Sequence, residues 1–183
     1  MNRITPLLLC LALTLPAVAA HAEDGLGRFG AWRSFRLMEN GKHVCYMIAH
    51  PLEAASMKVE KITKTKKGTK KTVSTVPREA YIMLTFRPAE GTAPVFNYNA
   101  GTVLKEGEAR LVAGKDDFSL FTTQDGAWAR TPALDQSIAK TLRKGGKLEI
   151  TATAAKGAAL RDRFDIKGAE DAYRKIATAC GIP

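Results

Sequence analysis

After its first 20 residues, this 183-residue chain has no apolar run approaching the length of a membrane-spanning helix, which needs about 20 such residues. It has no Cys-x-x-Cys pair, so no dithiol redox motif is present. No Gly-x-Ser-x-Gly elbow frames a nucleophile. Cysteines and histidines number three each, which leaves little material for a metal centre or for acid–base chemistry by imidazole. Aromatic residues are 7% of the chain, and few fall among its lysines. That argues against stacking on the bases of a single-stranded nucleic acid.

The most informative segment is at the start. Arg3 precedes an apolar run from Ile4 to Ala20, broken by Pro6 and Pro16, and Ala20-His21-Ala22 is a small-x-small cleavage site. The segment reads as a secretory signal peptide, residues 1–22. A retained anchor is the alternative. A lipoprotein is another, but Cys10 sits in mid-run behind Leu9, without a small residue before it. Cleavage leaves 23–183, the size of one domain. A chain of this size buries roughly 68–70% of its unfolded surface. The formal net charge is +10, of which the leader removes only Arg3. A basic exported domain meets lipopolysaccharide, peptidoglycan, sulfated glycans or nucleic acid, and charge alone does not choose among them.

Cys10 leaves with the leader. Cys45 and Cys180 remain, an even number in a disulfide-permissive compartment. A bond between them spans nearly the whole domain, for which loop entropy gives about 4–5 kcal/mol before strain. A redox or nucleophilic thiol is the competing reading.

Most of the remaining chain reads as short strands. Ala31–Leu37, Val44–Ala49, Tyr81–Phe86 and Pro94–Leu104 are apolar or alternating. Leu111–Ala113 and Phe118–Thr122 flank a turn at Gly114-Lys115-Asp116-Asp117, and Asp125-Gly126 marks another before Trp128. Lys147–Thr153 and Leu160–Ile166 alternate, with Asp162 as a charged exception on the inward face of the latter. Two segments read as helices. Thr131-Pro132 is an N-cap with proline at the first position, Leu134, Ile138 and Leu142 follow at four-residue spacing, and Gly145-Gly146 ends the pattern. A second helix spans about Ala169–Ala179, with Glu170 and Asp171 at its positive end and Tyr173, Ile176, Ala177 and Cys180 as its inner face. Many strands with late helices predict a mainly β fold, a β-sandwich with helical decoration; a closed barrel is the alternative.

Phe29-Gly30-Ala31-Trp32, Val44-Cys45-Tyr46-Met47, Phe86-Arg87-Pro88-Ala89-Glu90, Asp125-Gly126-Ala127-Trp128-Ala129 and Ala172-Tyr173 through Ala179-Cys180-Gly181 occur in this order. As an ordered set they resemble the invasion-associated locus B family of exported bacterial proteins, over about Phe29 to Gly181. The resemblance implies an immunoglobulin-like β-sandwich, a periplasmic or surface location, a link of some members to host-cell entry, and no enzymatic activity. Founding-type members place a cysteine soon after the tryptophan of the first motif, where this chain has Arg33, Ser34, Phe35 and Arg36. Its segment from Met57 to Val76 also looks longer than usual.

That segment holds the sharpest local feature. Lys58, Lys61, Lys64, Lys66, Lys67, Lys70 and Lys71 crowd together, opposed only by Glu60. Lys66-Lys67-Gly68-Thr69 predicts a turn between Val59–Thr65 and Lys70–Val76, hence a projecting hairpin. One reading is docking onto phosphate- or sulfate-bearing polymers with little selectivity, since lysine binds as a point charge. The other is a solubilising edge whose lysines block strand pairing. His43, Cys45 and His50 suggest a metal only if Cys45 is free, and no metal or cofactor is expected. Asp116/Asp117 and Glu170/Asp171 are accounted for by a turn and a helix start. Trp32 and Trp128 fit either core packing or a sugar platform. The combined expectation is a non-enzymatic envelope or surface binding protein, periplasmic or secreted, whose partner is an anionic glycan, lipopolysaccharide or an envelope protein. A periplasmic assembly factor contacting a protein through a sheet edge is the second reading, and an uncharacterised hydrolase with a paired-carboxylate cleft the third.

Overall fold

The computed structural model describes residues 23–182 apart from positions 54, 66, 67 and 92. The expected leader with Cys10, and Lys66 and Lys67, lie outside the described residues. The chain begins as a three-stranded antiparallel meander, β1 (Asp24–Phe29), β2 (Trp32–Glu39) and β3 (Lys42–Ala49). The next two strands, β4 (Ser56–Thr65) and β5 (Gly68–Pro77), pair only with each other. β6 (Tyr81–Phe86) then pairs with β3, and β7 (Val95–Asn99) with β6. A second meander, β8 (Gly107–Ala113), β9 (Asp116–Thr123) and β10 (Gly126–Trp128), joins the first through the β10–β7 pairing. Helix α1 (Pro132–Arg143) leads to β11 (Lys147–Thr153), which pairs with β8, and β12 (Ala159–Asp165) forms the far edge. Helix α2 (Ala169–Ala179) ends the fold.

The mainly β class with two helices, one of them C-terminal, is as expected. The two layers arise differently from those of an immunoglobulin-like sandwich. Hydrogen bonding runs unbroken through one ten-stranded sheet, β1-β2-β3-β6-β7-β10-β9-β8-β11-β12. The sheet folds over on itself: the Tyr98 ring on β7 meets Phe164 on β12 edge-on at 6.5 Å, and the Leu52 amide, just past β3, donates to the Arg163 carbonyl of β12 at 2.7 Å. Inward residues of the two halves, Trp32, Met47, Leu84, Phe96, Leu120 and Phe164 among them, form one core with almost no exposed surface. Each large side chain so buried contributes roughly 1.5–3 kcal/mol.

The helices cover the core along its open side, α2 against β1, β2 and β3, and α1 against β7 and β9. Helix α1 starts where predicted: Thr131 Oγ1 accepts from the Leu134 amide at 3.2 Å, with Pro132 at the first helical position. Asp135 in its first turn reaches β7 and accepts from the Phe96 amide at 2.7 Å. Burial pushes this carboxyl up, against the hydrogen bond that lowers it. Asp135→Ala leaves that buried amide without an acceptor and is expected to cost about 1–3 kcal/mol in urea unfolding. Asp135→Asn keeps an acceptor oxygen and should retain most of the stability.

Helix α2 packs more closely than its sequence suggested. Its buried residues are Ala169, Ala172, Ile176 and Ala177, while Tyr173 is only half-buried. The close approach is set by two glycines with positive φ. A Cβ on Gly168 would stand 2.4 Å from the Phe29 carbonyl oxygen, and one on Gly30 would stand 2.7 Å from that of Lys167. This accounts physically for the glycine in Phe29-Gly30-Ala31-Trp32. Ser34 Oγ donates to the Ala172 carbonyl at 3.3 Å. The Cys45–Cys180 disulfide, with Cα atoms 6.1 Å apart, ties the end of α2 to β3.

Candidate functional site: a basic β-ribbon

β4 and β5 form a ten-residue antiparallel ladder from Ser56↔Pro77 to Thr65↔Gly68. The ladder is longer than predicted, since Gly68 and Thr69 belong to β5 rather than to the turn. At about 3.3 Å per residue the ribbon extends roughly 30 Å. An isolated two-stranded ribbon is marginally stable in water, so its anchorage decides whether it can present a surface. Met57 packs against the core, and β4 touches β12. The Arg78 amide, directly after β5, donates to the Ala55 carbonyl at 2.8 Å and closes the neck.

The side chain of Arg78 then turns into the protein. Its Nη2 donates to Asp162 Oδ1 at 2.6 Å, and its Nη1 donates to the Ala100 carbonyl. Tyr98 Oη donates to the other Asp162 oxygen at 2.6 Å. Arg78 and Asp162 side chains are 1% and 3% exposed, so the pair is fully desolvated. Burial alone would lower the Arg78 pKa, but the hydrogen bond and charge of Asp162 outweigh it and the net shift is upward. Burial first, then the Asp162 charge, hold the Tyr98 phenol well above its ordinary range. Asp162 stood out in the sequence as a charge on an inward face. Its partners lie 84 and 64 residues away, and nothing local announces them.

Directly opposed residues share a face of the ribbon. One face carries Lys58, Glu60, Ile62 and Lys64 with Lys71, Val73 and Thr75; the other carries Met57, Val59, Lys61 and Thr63 with Lys70 and Val76. Lys58, Lys61, Lys64, Lys70 and Lys71 are all exposed. Lys71 Nζ lies 2.7 Å from Glu60, so one acid offsets one of five described ammonium groups. The structure thus gathers these five lysines on one projecting element. Ile62 and Val73, 65% and 53% exposed, were absent from the sequence reading of the site.

The other sequence candidates take structural roles. Cys45 is consumed by the disulfide, which removes it as a ligand beside His43 and His50. His50 Nδ1 lies 3.2 Å from the Ala80 carbonyl. Trp32 is fully buried, and Trp128 is half-buried. Asp116 and Asp117 are not turn residues: the loop is Gly114-Lys115, and both acids open β9. Asp116 accepts from Lys144 at 2.7 Å and from Thr141 at 2.5 Å, which lower its pKa and pin the hairpin to the end of α1. Asp117 binds Arg110 through two oxygens and is lowered by it. Glu170 accepts from Arg143 at 2.6 Å, joining the helices, while the Arg143 guanidinium sits 4.4 Å over the Tyr173 ring. A shallow groove on the outer sheet face lies between Arg110, Asp117, Ser119, Thr151 and Arg161. Its arginines are already paired, Arg110 with Asp117 and Arg161 with Glu149.

The comparisons agree with the family resemblance read from the sequence. Residues 100–177, from the end of β7 into α2, match the family model described as invasion associated locus B (IalB) protein. The solved structure of invasion associated protein B from Bartonella henselae superposes with a TM-score of 0.55 at 14% identity, covering 84% of this chain and 95% of that one. At that identity the likeness establishes the fold. No curated protein matches the chain in sequence. Among the described residues, no helix is long and apolar enough to cross a membrane.

Proposed function

We propose that this chain is an exported, non-enzymatic envelope or surface protein of the invasion-associated locus B type. It docks on phosphate- or sulfate-bearing envelope material through the β4–β5 ribbon. The carrying observation is that Lys58, Lys61, Lys64, Lys70 and Lys71 stand exposed on a ribbon whose neck is held by a buried ion pair. A purely solubilising edge needs no such anchorage. The signal-like leader and the family match over residues 100–177 support an envelope location.

The test is retention on heparin, a soluble sulfated glycan. Replacing the five lysines by glutamine should weaken binding at least about tenfold and flatten its dependence on salt, because exposed charges act over a Debye length of about 8 Å at physiological ionic strength. Unchanged retention would defeat the reading. A second reading, protein assembly through a strand edge, draws on β1, which lies at the border of the sheet among the described residues. Co-purification of one defined partner, insensitive to salt, would favour it.

A further inference from the structure

Building on that docking role, we infer that the ribbon's partner is a phosphate-bearing lipid surface, met by the face that carries Lys58, Ile62, Lys64, Lys71 and Val73. Met57 packs against the body, so the face opposite Met57 turns outward. On that outward face Ile62 and Val73 are two of the most exposed large apolar side chains among the described residues, at 65% and 53%. Single exposed apolar residues need no explanation. These two lie diagonally across the ladder, since Ile62 opposes Lys71 and Val73 opposes Glu60, and they form one small apolar centre.

Lysines flank that centre. Lys58 lies toward the neck and Lys64 toward the outer end, six residues or about 20 Å apart along the strand. Glu60, the one acid on the face, is paired with Lys71 at 2.7 Å, so it does not oppose an anionic surface. An apolar centre with lysines whose stems can lie along the acyl boundary while their heads reach phosphate is the arrangement of interfacial membrane-binding segments. A soluble polyanion uses the lysines and leaves Ile62 and Val73 in water. A lipid surface uses both.

The experiment compares the purified protein on vesicles of phosphatidylcholine, with and without phosphatidylglycerol, and on a heparin column. Ile62→Thr with Val73→Thr keeps β-branched residues at two largely exposed positions, so the melting temperature should stay unchanged. This pair is expected to weaken binding to the acidic vesicles about tenfold and to leave heparin retention as it was. Lys58→Gln with Lys64→Gln and Lys71→Gln should lower vesicle binding about a hundredfold and heparin retention as well. Heparin retention without binding to acidic vesicles, or vesicle binding indifferent to the threonine pair, overturns the lipid assignment and leaves the docking role standing. Binding to neither overturns both.

Discussion

Asp162→Ala is expected to remove about 3–5 kcal/mol of stability, because it leaves the Arg78 guanidinium buried and without its counter-charge. A domain of this kind has only about 5–15 kcal/mol in total, so the variant should sit near its unfolding transition at ordinary temperatures. Arg78→Met strands Asp162 in the same way and should cost a similar amount. The two sites replaced together, Arg78→Met with Asp162→Leu, should lose much less than the sum, since no buried charge remains. Equilibrium unfolding in urea measures all three. Strict additivity would show that the pair is not coupled. The network also shapes the alkaline limb. Tyr98 is held protonated in the folded state above its ordinary pKa. Its contribution is therefore present at neutral pH and is lost as the pH rises from about 10, where the unfolded chain begins to release that proton. Tyr98→Phe should flatten this part of the pH profile.

The second large effect belongs to the disulfide. Cys45 and Cys180 are 135 residues apart in sequence, and loop entropy for such a span is about 5 kcal/mol. Measured losses on removing a native bond run at about 2–5 kcal/mol. Cys45→Ala with Cys180→Ala is expected to fall in that range and to lower Tm by about 5–15 °C for a chain of this size. The folded structure should survive, since Ser34 and the Arg143–Glu170 pair still hold α2. Calorimetry with and without reductant gives an independent check. Reduction that left Tm unmoved would mean that the bond adds nothing to the native state.

Local chemistry in the sequence accounts for much of the fold. Thr131-Pro132 and Gly145-Gly146 bracket α1, and the alternation of Leu148, Ile150 and Ala152 defines β11. Elements with weak side-chain signals escaped. β1 is Asp-Gly-Leu-Gly-Arg-Phe, with two glycines and little alternation, and it exists because β2 offers an edge. The first half of β8 is hidden because its inward residue is Ala109, between Glu108 and Arg110. The inner face of α2 was legible in part: Ile176 and Ala177 are buried, and Tyr173 and Cys180 pack half-buried against the core, Tyr173 edge-on to Phe86 at 5.4 Å, whereas Ala169 and Ala172 escaped because alanine carries little hydropathy. Pairings between distant segments, β10 with β7 and β11 with β8, decide whether one sheet or two forms, and periodicity holds no record of them. For the site, the lysines were legible as a charge run. Their anchorage through Arg78 and Asp162 was not, because its partners meet only after folding.

The position of the disulfide has a consequence for proteolysis. Cys45 precedes the basic ribbon in the chain and Cys180 follows it. The ribbon is also the stretch richest in lysines, the residues that trypsin-like enzymes seek, and its described lysines are all exposed. A single cut between β4 and β5 divides the polypeptide into its first four strands and everything after. The two fragments remain one molecule, joined by sulfur and by the β3–β6 ladder. The fold therefore places its most vulnerable element inside a covalent ring, where scission opens the loop without releasing either piece.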